Sequence, residues 1–189
     1  MKHKPVLFLD FDRTLFDTDQ FYDWIGEERF SRILDLTAGK IKGPDFSAMV
    51  YDDTISFLEN AKDSYRVVLL TFAMNTTLQR KKVRGSGLVQ FFDDVIITNK
   101  SKGTEAKNYL ERMHLSGWPI CHDCAGRDGG EHVFVDDMPT NIDEVKLHNP
   151  EIKTVRIDRY PLSAETEIGT TKPDIFVTSL SLLAPILFV

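Results

Sequence analysis

The chain has little cysteine, no long apolar run and no excess of positive charge. Two cysteines, Cys121 and Cys124, stand among 189 residues. A lone pair cannot build the multi-bridge framework that holds small secreted domains together. A zinc site on this Cys-x-x-Cys would need two further ligands, with His114, His122 and His132 nearby in sequence. The expectation is two free thiols beside the glycine-rich loop at 125–130. The stretch from Leu180 to Val189 is apolar, but it is far too short to cross a bilayer and Pro185 interrupts it. It reads as a C-terminal helix packed on the core. The N-terminus has lysines and only a very short apolar run, so no secretory leader is expected and the location expected is cytoplasmic.

Charge points the same way. Lys and Arg number 23 against 29 Asp and Glu, and 23 − 29 = −6. No basic tract is long enough to predict nucleic-acid binding. The richest cluster, Gln79-Arg80-Lys81-Lys82-Val83-Arg84, reads as a solvated helix face. There is no repeat or low-complexity tract, and the length suits one core domain with a small appendage.

What is present is a series of short apolar runs that end in chemistry. Val6-Leu7-Phe8-Leu9 leads into Asp10-Phe11-Asp12-Arg13-Thr14. Side chains alternate along an extended chain, so Asp10 and Asp12 would project the same way. Crowded carboxylates repel, and repulsion raises their pKa unless a cation sits between them. A hard divalent metal such as Mg2+ resolves this, because it prefers oxygen ligands and keeps waters for a phosphate. One carboxylate could then attack phosphorus while the other handles a proton. The plain alternative is a solvated strand-to-loop turn, where Asp is common.

Three further segments follow. Arg66-Val67-Val68-Leu69-Leu70-Thr71 reads as a buried parallel strand ending in a hydroxyl, and Asn75 offers a helix cap before Thr76 to Val83. Val95-Ile96-Ile97-Thr98 is followed by Asn99-Lys100-Ser101-Lys102-Gly103 and an amphipathic stretch with Tyr109, Leu110 and Met113. His132-Val133-Phe134-Val135-Asp136-Asp137-Met138-Pro139-Thr140-Asn141 ends another apolar run in acids. Thr154–Ile157 and Ile175–Val177 complete six strand candidates with helical patterns between most of them. Such alternation predicts an α/β fold, a parallel sheet with helices on both faces and the site at the strand ends.

The four motif segments, in this order, resemble the haloacid dehalogenase (HAD) superfamily. The likeness runs from Pro5 through the final apolar stretch. It implies a Rossmann-like core with the Asp10 strand central and a Mg2+-dependent phosphatase activity. In that resemblance Asp10 is the nucleophile and Asp12 the general acid and base. Thr71 and one lysine hold the phosphoryl group. Lys102 is the first choice, with Lys100 and Lys107 as rivals. The metal lies on the Asp10 side chain, the Asp12 backbone carbonyl and Asp137. Asp136 is a second ligand or an outer partner, Asn141 orients a metal-bound water or caps the next helix, and Thr14 supports the first motif. Arg13 stands where the family commonly has glycine, and either reaches substrate or pairs with the cap.

Roughly fifty residues separate Thr14 from Arg66, more than a loop needs. Thr18 to Leu36 reads as one aromatic-rich helical pattern, broken at Gly43-Pro44-Asp45, with Asp45 able to cap a helix through Leu58. In HAD proteins an insertion here is a helical lid, called the C1 cap. The expected division is a core of residues 1–15 and 62–189 and a cap of residues 16–61, with Phe21, Tyr22, Trp24 and Arg29 candidates for the mouth of the site. So small a lid suits a small phosphorylated metabolite or the phosphorylated end of something larger. A phosphomutase would keep every one of these residues. The alternative of another class is a non-catalytic phosphate-binding or protein-interaction module on the same scaffold. No partner beyond the substrate, no membrane and no oligomeric state follow from these residues.

Overall fold

The structure is a computed structural model that describes residues 4–116, 131–160 and 172–188. Among these residues six strands form one parallel sheet: β1 (Val6–Leu9), β2 (Arg66–Phe72), β3 (Asp94–Thr98), β4 (Val133–Asp136), β5 (Lys153–Ile157) and β6 (Ile175–Val177). Their order is β3-β2-β1-β4-β5-β6, every neighbouring pair is parallel, and β1 lies between β2 and β4. The helices are α1 (Thr18–Ile25), α2 (Arg29–Ala38), α3 (Thr54–Ser64), α4 (Thr76–Gly85), α5 (Lys102–Leu115), α6 (Pro139–His148) and α7 (Leu180–Leu187). This is the α/β architecture expected from the alternating pattern.

The apolar strands are continuous because both faces are covered. One face, with Leu7, Leu9, Val67, Leu69, Val133 and Val135, packs with Phe57, Leu58, Leu180 and Leu183 of α3 and α7. The other, with Val6, Phe8, Val68, Leu70 and Phe134, packs with Ala106, Tyr109, Leu110, Ile142 and Val145 of α5 and α6. Phe8 and Phe134 are wholly buried. Cutting such a ring to alanine typically costs ~3–5 kcal/mol.

Two local expectations are corrected. The pattern from Thr18 to Leu36 is not one helix. It breaks at Gly26, whose φ of 74° is a left-handed conformation that glycine adopts without a Cβ penalty. Asp45 does cap a helix, accepting from the Ser47 backbone N–H, but a 3-10 turn over Phe46–Met49, and α3 starts afresh at Thr54. The Leu180–Leu187 helix packs on the core as expected. Cys121, Cys124, His122 and the loop at 125–130 lie outside the described residues.

Candidate active site

All four motif segments meet at the carboxyl ends of adjacent strands. Asp10 directly follows β1, and its backbone N–H still donates to the Val135 carbonyl at 3.0 Å, so the ladder with β4 extends to the acid itself. Thr71 lies near the end of β2, Lys102 opens α5 after β3, and Asp136 and Asp137 close β4. The loop after Asp10 is tightly pinned. Leu15 and Phe16 N–H groups both donate to the Phe11 carbonyl at 3.0 Å. Arg159 donates to the Thr14 carbonyl at 2.8 Å and to Asp53 at 2.8 Å.

Lys102 is the cation at the centre. Its ammonium, 2% exposed, donates to Asp10 Oδ1 at 2.5 Å and to Asp136 Oδ2 at 2.7 Å. Lys100 and Lys107 face solvent. A close approach of helices sets Lys102 in place. A Cβ on Gly103 would fall 2.4 Å from the Glu144 carbonyl oxygen, so only glycine lets α5 lie this near α6. Asn149 fastens the contact by donating to the Gly103 carbonyl at 2.9 Å. Thr14 is buried, with its hydroxyl at 3.5 Å from Asp10 Oδ2.

Asp136 is fully engaged. Beside Lys102, its Oδ1 accepts from the Met138 N–H and from the Asn141 amide, both at 2.9 Å. Asn141 therefore orients Asp136. It is not the helix cap, since Met138 occupies that position in α6. Asp10, Asp136 and Asp137 bring ligand oxygens within 4.8 Å of one another. With all three ionised against one ammonium the cluster carries 1 − 3 = −2 formally. Burial, with the neighbouring acids Asp136 and Asp12, pushes the Asp10 carboxyl up to about 7 despite Lys102. Burial, with Asp10 and Asp136, pushes Asp137 up to about 8. Lys102 is raised above its ordinary value, because its two carboxylates outweigh burial. Asp10 and Asp137, hard oxygen donors in a cluster with a deficit of two charges, fit a divalent cation of the Mg2+ class.

Asp12 lies in a second, separate set of bonds. Burial alone would raise its pKa, but the Lys82 ammonium, with hydrogen bonds from Lys82, Thr18 and Gln79, holds it below its ordinary value. Thr18 Oγ1, at the start of α1, donates to Asp12 Oδ1 at 2.5 Å, and Lys82 pairs with the same oxygen. Gln79 Nε2 donates to Asp12 Oδ2 at 2.6 Å and to Thr71 Oγ1 at 2.9 Å. The Lys82 ammonium also sits 5.0 to 5.6 Å from the ring centres of Phe11, Phe16 and Phe21, within cation–π range.

Here the sequence expectation fails. The sequence assigns Gln79 and Lys82 to a solvated helix face, yet each is 4% exposed. The helical spacing that pairs them (i, i+3) was legible, but not the carboxylate and the three phenylalanine rings brought against them from before α4. Asn75 does cap α4, accepting from the Leu78 N–H at 3.0 Å. Arg13, at a positive φ of 57°, pairs with Asp19 at 2.7 Å on the first turn of α1. Phe21 is buried in the core cluster, with Tyr22 and Trp24 packed against it, and Arg29 lies over the Tyr22 ring at 5.0 Å.

No family model and no curated protein sequence matches the chain. Solved structures do. A haloacid dehalogenase-like hydrolase from Burkholderia xenovorans aligns with a TM-score of 0.69 at 17% identity, over 97% of this chain and 96% of that one. The HAD-hydrolase YfnB from Bacillus subtilis, bound to magnesium, aligns at 0.63 with 19% identity over the whole of both chains. A HAD phosphatase from Thermococcus onnurineus aligns at 0.57 with 22% identity, over 97% of each chain. L-2-haloacid dehalogenases are similar too. At such identities the likeness is one of fold. The chain therefore has the fold seen in haloacid dehalogenase-like hydrolases.

Proposed function

We propose that this chain is a Mg2+-dependent phosphatase that hydrolyses a phosphate monoester through an aspartyl-phosphate on Asp10. The observation that carries the reading is the buried Lys102 ammonium between Asp10 and Asp136, with Asp137 beside them and a second acid, Asp12, held apart by its own donors. Asp10 and Asp137, with the Asp12 backbone carbonyl, would hold Mg2+, which when bound offsets negative charge on the nucleophile and the phosphoryl oxygens.

The protein's own groups account for the rest. An Asp10 carboxylate oxygen attacks phosphorus, and the bond from phosphorus to the leaving oxygen breaks. Asp12 gives that oxygen a proton, so it has to reach its acid form against the pull of Lys82. Water then attacks phosphorus, the bond to Asp10 breaks, and Asp12 takes a proton back from the water, so the cycle closes. The Thr71 hydroxyl and Lys102 hold the phosphoryl oxygens, a task of positioning and electrostatics. Asp136 touches no reacting atom in this scheme. It aims Lys102 and is itself aimed by Asn141. Helices α1 and α2 with the 3-10 turn make a small lid, entered directly from Asp12 and Thr14, which leaves room for a small phosphorylated metabolite or the phosphorylated end of a larger molecule.

The second acid, Asp12, is what supports phosphate over halide chemistry. A panel of phosphate esters with Mg2+, beside a panel of 2-haloacids, tests the choice. Phosphate release from at least one ester, and no halide release, is expected. Asp10→Asn should abolish that turnover with the fold intact by circular dichroism, because the amide is nearly isosteric but a poor nucleophile. Turnover by Asp10→Asn at the wild-type rate would overturn the assignment.

A further inference from the structure

Gln79 has no place in the four motifs, yet its side chain touches two of them. Its amide nitrogen lies 2.6 Å from Asp12 Oδ2 and 2.9 Å from Thr71 Oγ1. A primary amide nitrogen has two N–H donors and accepts nothing, so both contacts are donations. The orientation of the amide is fixed by its neighbours. Turned over, its carbonyl oxygen would face the Asp12 carboxylate, acceptor against acceptor.

This has a consequence for Thr71. Its oxygen is already supplied with a proton by Gln79, so its own single O–H is released to donate elsewhere. Thr71 is 0% exposed at the end of β2, beside the strand that carries Asp10. The same amide holds Asp12 on one carboxylate oxygen while Thr18 and Lys82 hold the other. Gln79 is itself well fixed. Asn75 caps its helix, Lys82 one turn further along is paired to Asp12, and at Gly85 the helix approaches Phe46 so closely that a Cβ would meet the ring at 2.4 Å.

We propose that Gln79 is a positioning residue that orients the Thr71 hydroxyl towards the phosphoryl group and the Asp12 carboxylate towards the leaving oxygen, so that both act in one geometry. This rests on the phosphatase reading of the site. A buried amide that served only to satisfy its neighbours would leave a different mark when removed.

The test uses the full chain with Mg2+ and two probes, p-nitrophenyl phosphate, whose leaving group departs readily, and β-glycerophosphate, whose leaving group needs a proton. In Gln79→Met, which keeps the volume and drops both donors, kcat/KM should fall about tenfold or more further for β-glycerophosphate than for p-nitrophenyl phosphate. General acid help is typically worth ~10²–10⁴-fold, so part of it is at stake for the poorer leaving group alone. Inorganic phosphate, titrated by calorimetry, should bind equally more weakly to Gln79→Met and Thr71→Val. The double variant should bind no more weakly than either, because residues acting through one another are not additive. Should Gln79→Met fail to fold, Gln79→Asn, whose amide is one methylene short, replaces it with the same expectation.

Equal loss on both probes, or additive loss of phosphate binding, would overturn the proposal and leave the phosphatase reading standing. Absence of phosphate release by the wild type from both probes and from the wider ester panel would bring down both.

Discussion

At the scale of single residues, the site is built on two buried ammonium groups, Lys102 and Lys82, with three ion pairs between them. Lys102 has two carboxylates and 3% of its side chain exposed. Removing one partner of a buried pair leaves uncompensated charge and typically costs ~3–5 kcal/mol. Lys102→Met should therefore lower stability by about that amount in urea unfolding at neutral pH, besides losing phosphate turnover. A variant as stable as the wild type would mean that Asp10 and Asp136 do not depend on this cation. His132 makes a prediction about pH. Its Nδ1 accepts from the Val6 backbone N–H at 2.9 Å, joining the start of β1 to the residue before β4, and burial lowers its pKa. The folded protein thus binds this proton less readily than the unfolded chain does. The stability it contributes is complete above the unfolded histidine value of about 6.5 and is lost as pH falls through the lower folded value. Urea midpoints at pH 7.5 and pH 5.5 should separate more for the wild type than for His132→Gln, whose side-chain oxygen accepts without titrating.

At the scale of elements, the geometry of the candidate site depends on where helices begin. Lys102 is useful because α5 starts against α6, and Gly103 permits that approach. In an exposed helix, Gly→Ala stabilises by about 1 kcal/mol. Here the sign should reverse. A methyl 2.4 Å from the Glu144 carbonyl forces the first turn of α5 outwards. Overpacking of this kind costs ~1–3 kcal/mol and would carry Lys102 away from Asp10. Gly103→Ala should therefore lose both stability and phosphate turnover, and a gain in melting temperature would refute the close packing. Helix α4 plays the matching part on the other side. Its cap, Asn75, directs it, and Gln79 and Lys82 on one face meet Asp12, which α1 meets through Thr18.

At the scale of the whole molecule, one sheet gathers chemistry from distant stretches of chain. The strand order places β1 between β2 and β4, so Asp10 has Thr71 on one side and Asp136 on the other. The proposed dependence on a divalent cation draws on carboxylates that only the whole fold brings together. EDTA should remove phosphate turnover and Mg2+ should restore it. Mg2+ should also raise the melting temperature, because binding at a hundred times its dissociation constant adds about 2.7 kcal/mol of stability. That rise should vanish in Asp137→Ala. Full activity after chelation, or an equal shift in Asp137→Ala, would show that the cluster does not hold the ion. Among the described residues no helix is long and apolar enough to cross a membrane.

Much of this was legible in the chain itself. Apolar runs of four to seven residues ending in acids or a hydroxyl declare buried parallel strands, because only a sheet covered on both faces keeps such runs from water. The same runs place Asp10, Thr71, Lys102, Asp136 and Asp137 at one edge, since parallel strands share an end. Tertiary structure alone decided the partners. Nothing local distinguishes Lys82 from Lys81 or Arg84, because burial depends on which rings arrive from elsewhere, and Phe11, Phe16 and Phe21 arrive from before α4. Nothing local reveals that Gln79 joins Asp12 to Thr71, sixty-seven residues and eight residues away. Strand-end chemistry follows from covalent order and alternation. The helix face that closes on it follows from packing, which only the folded chain contains.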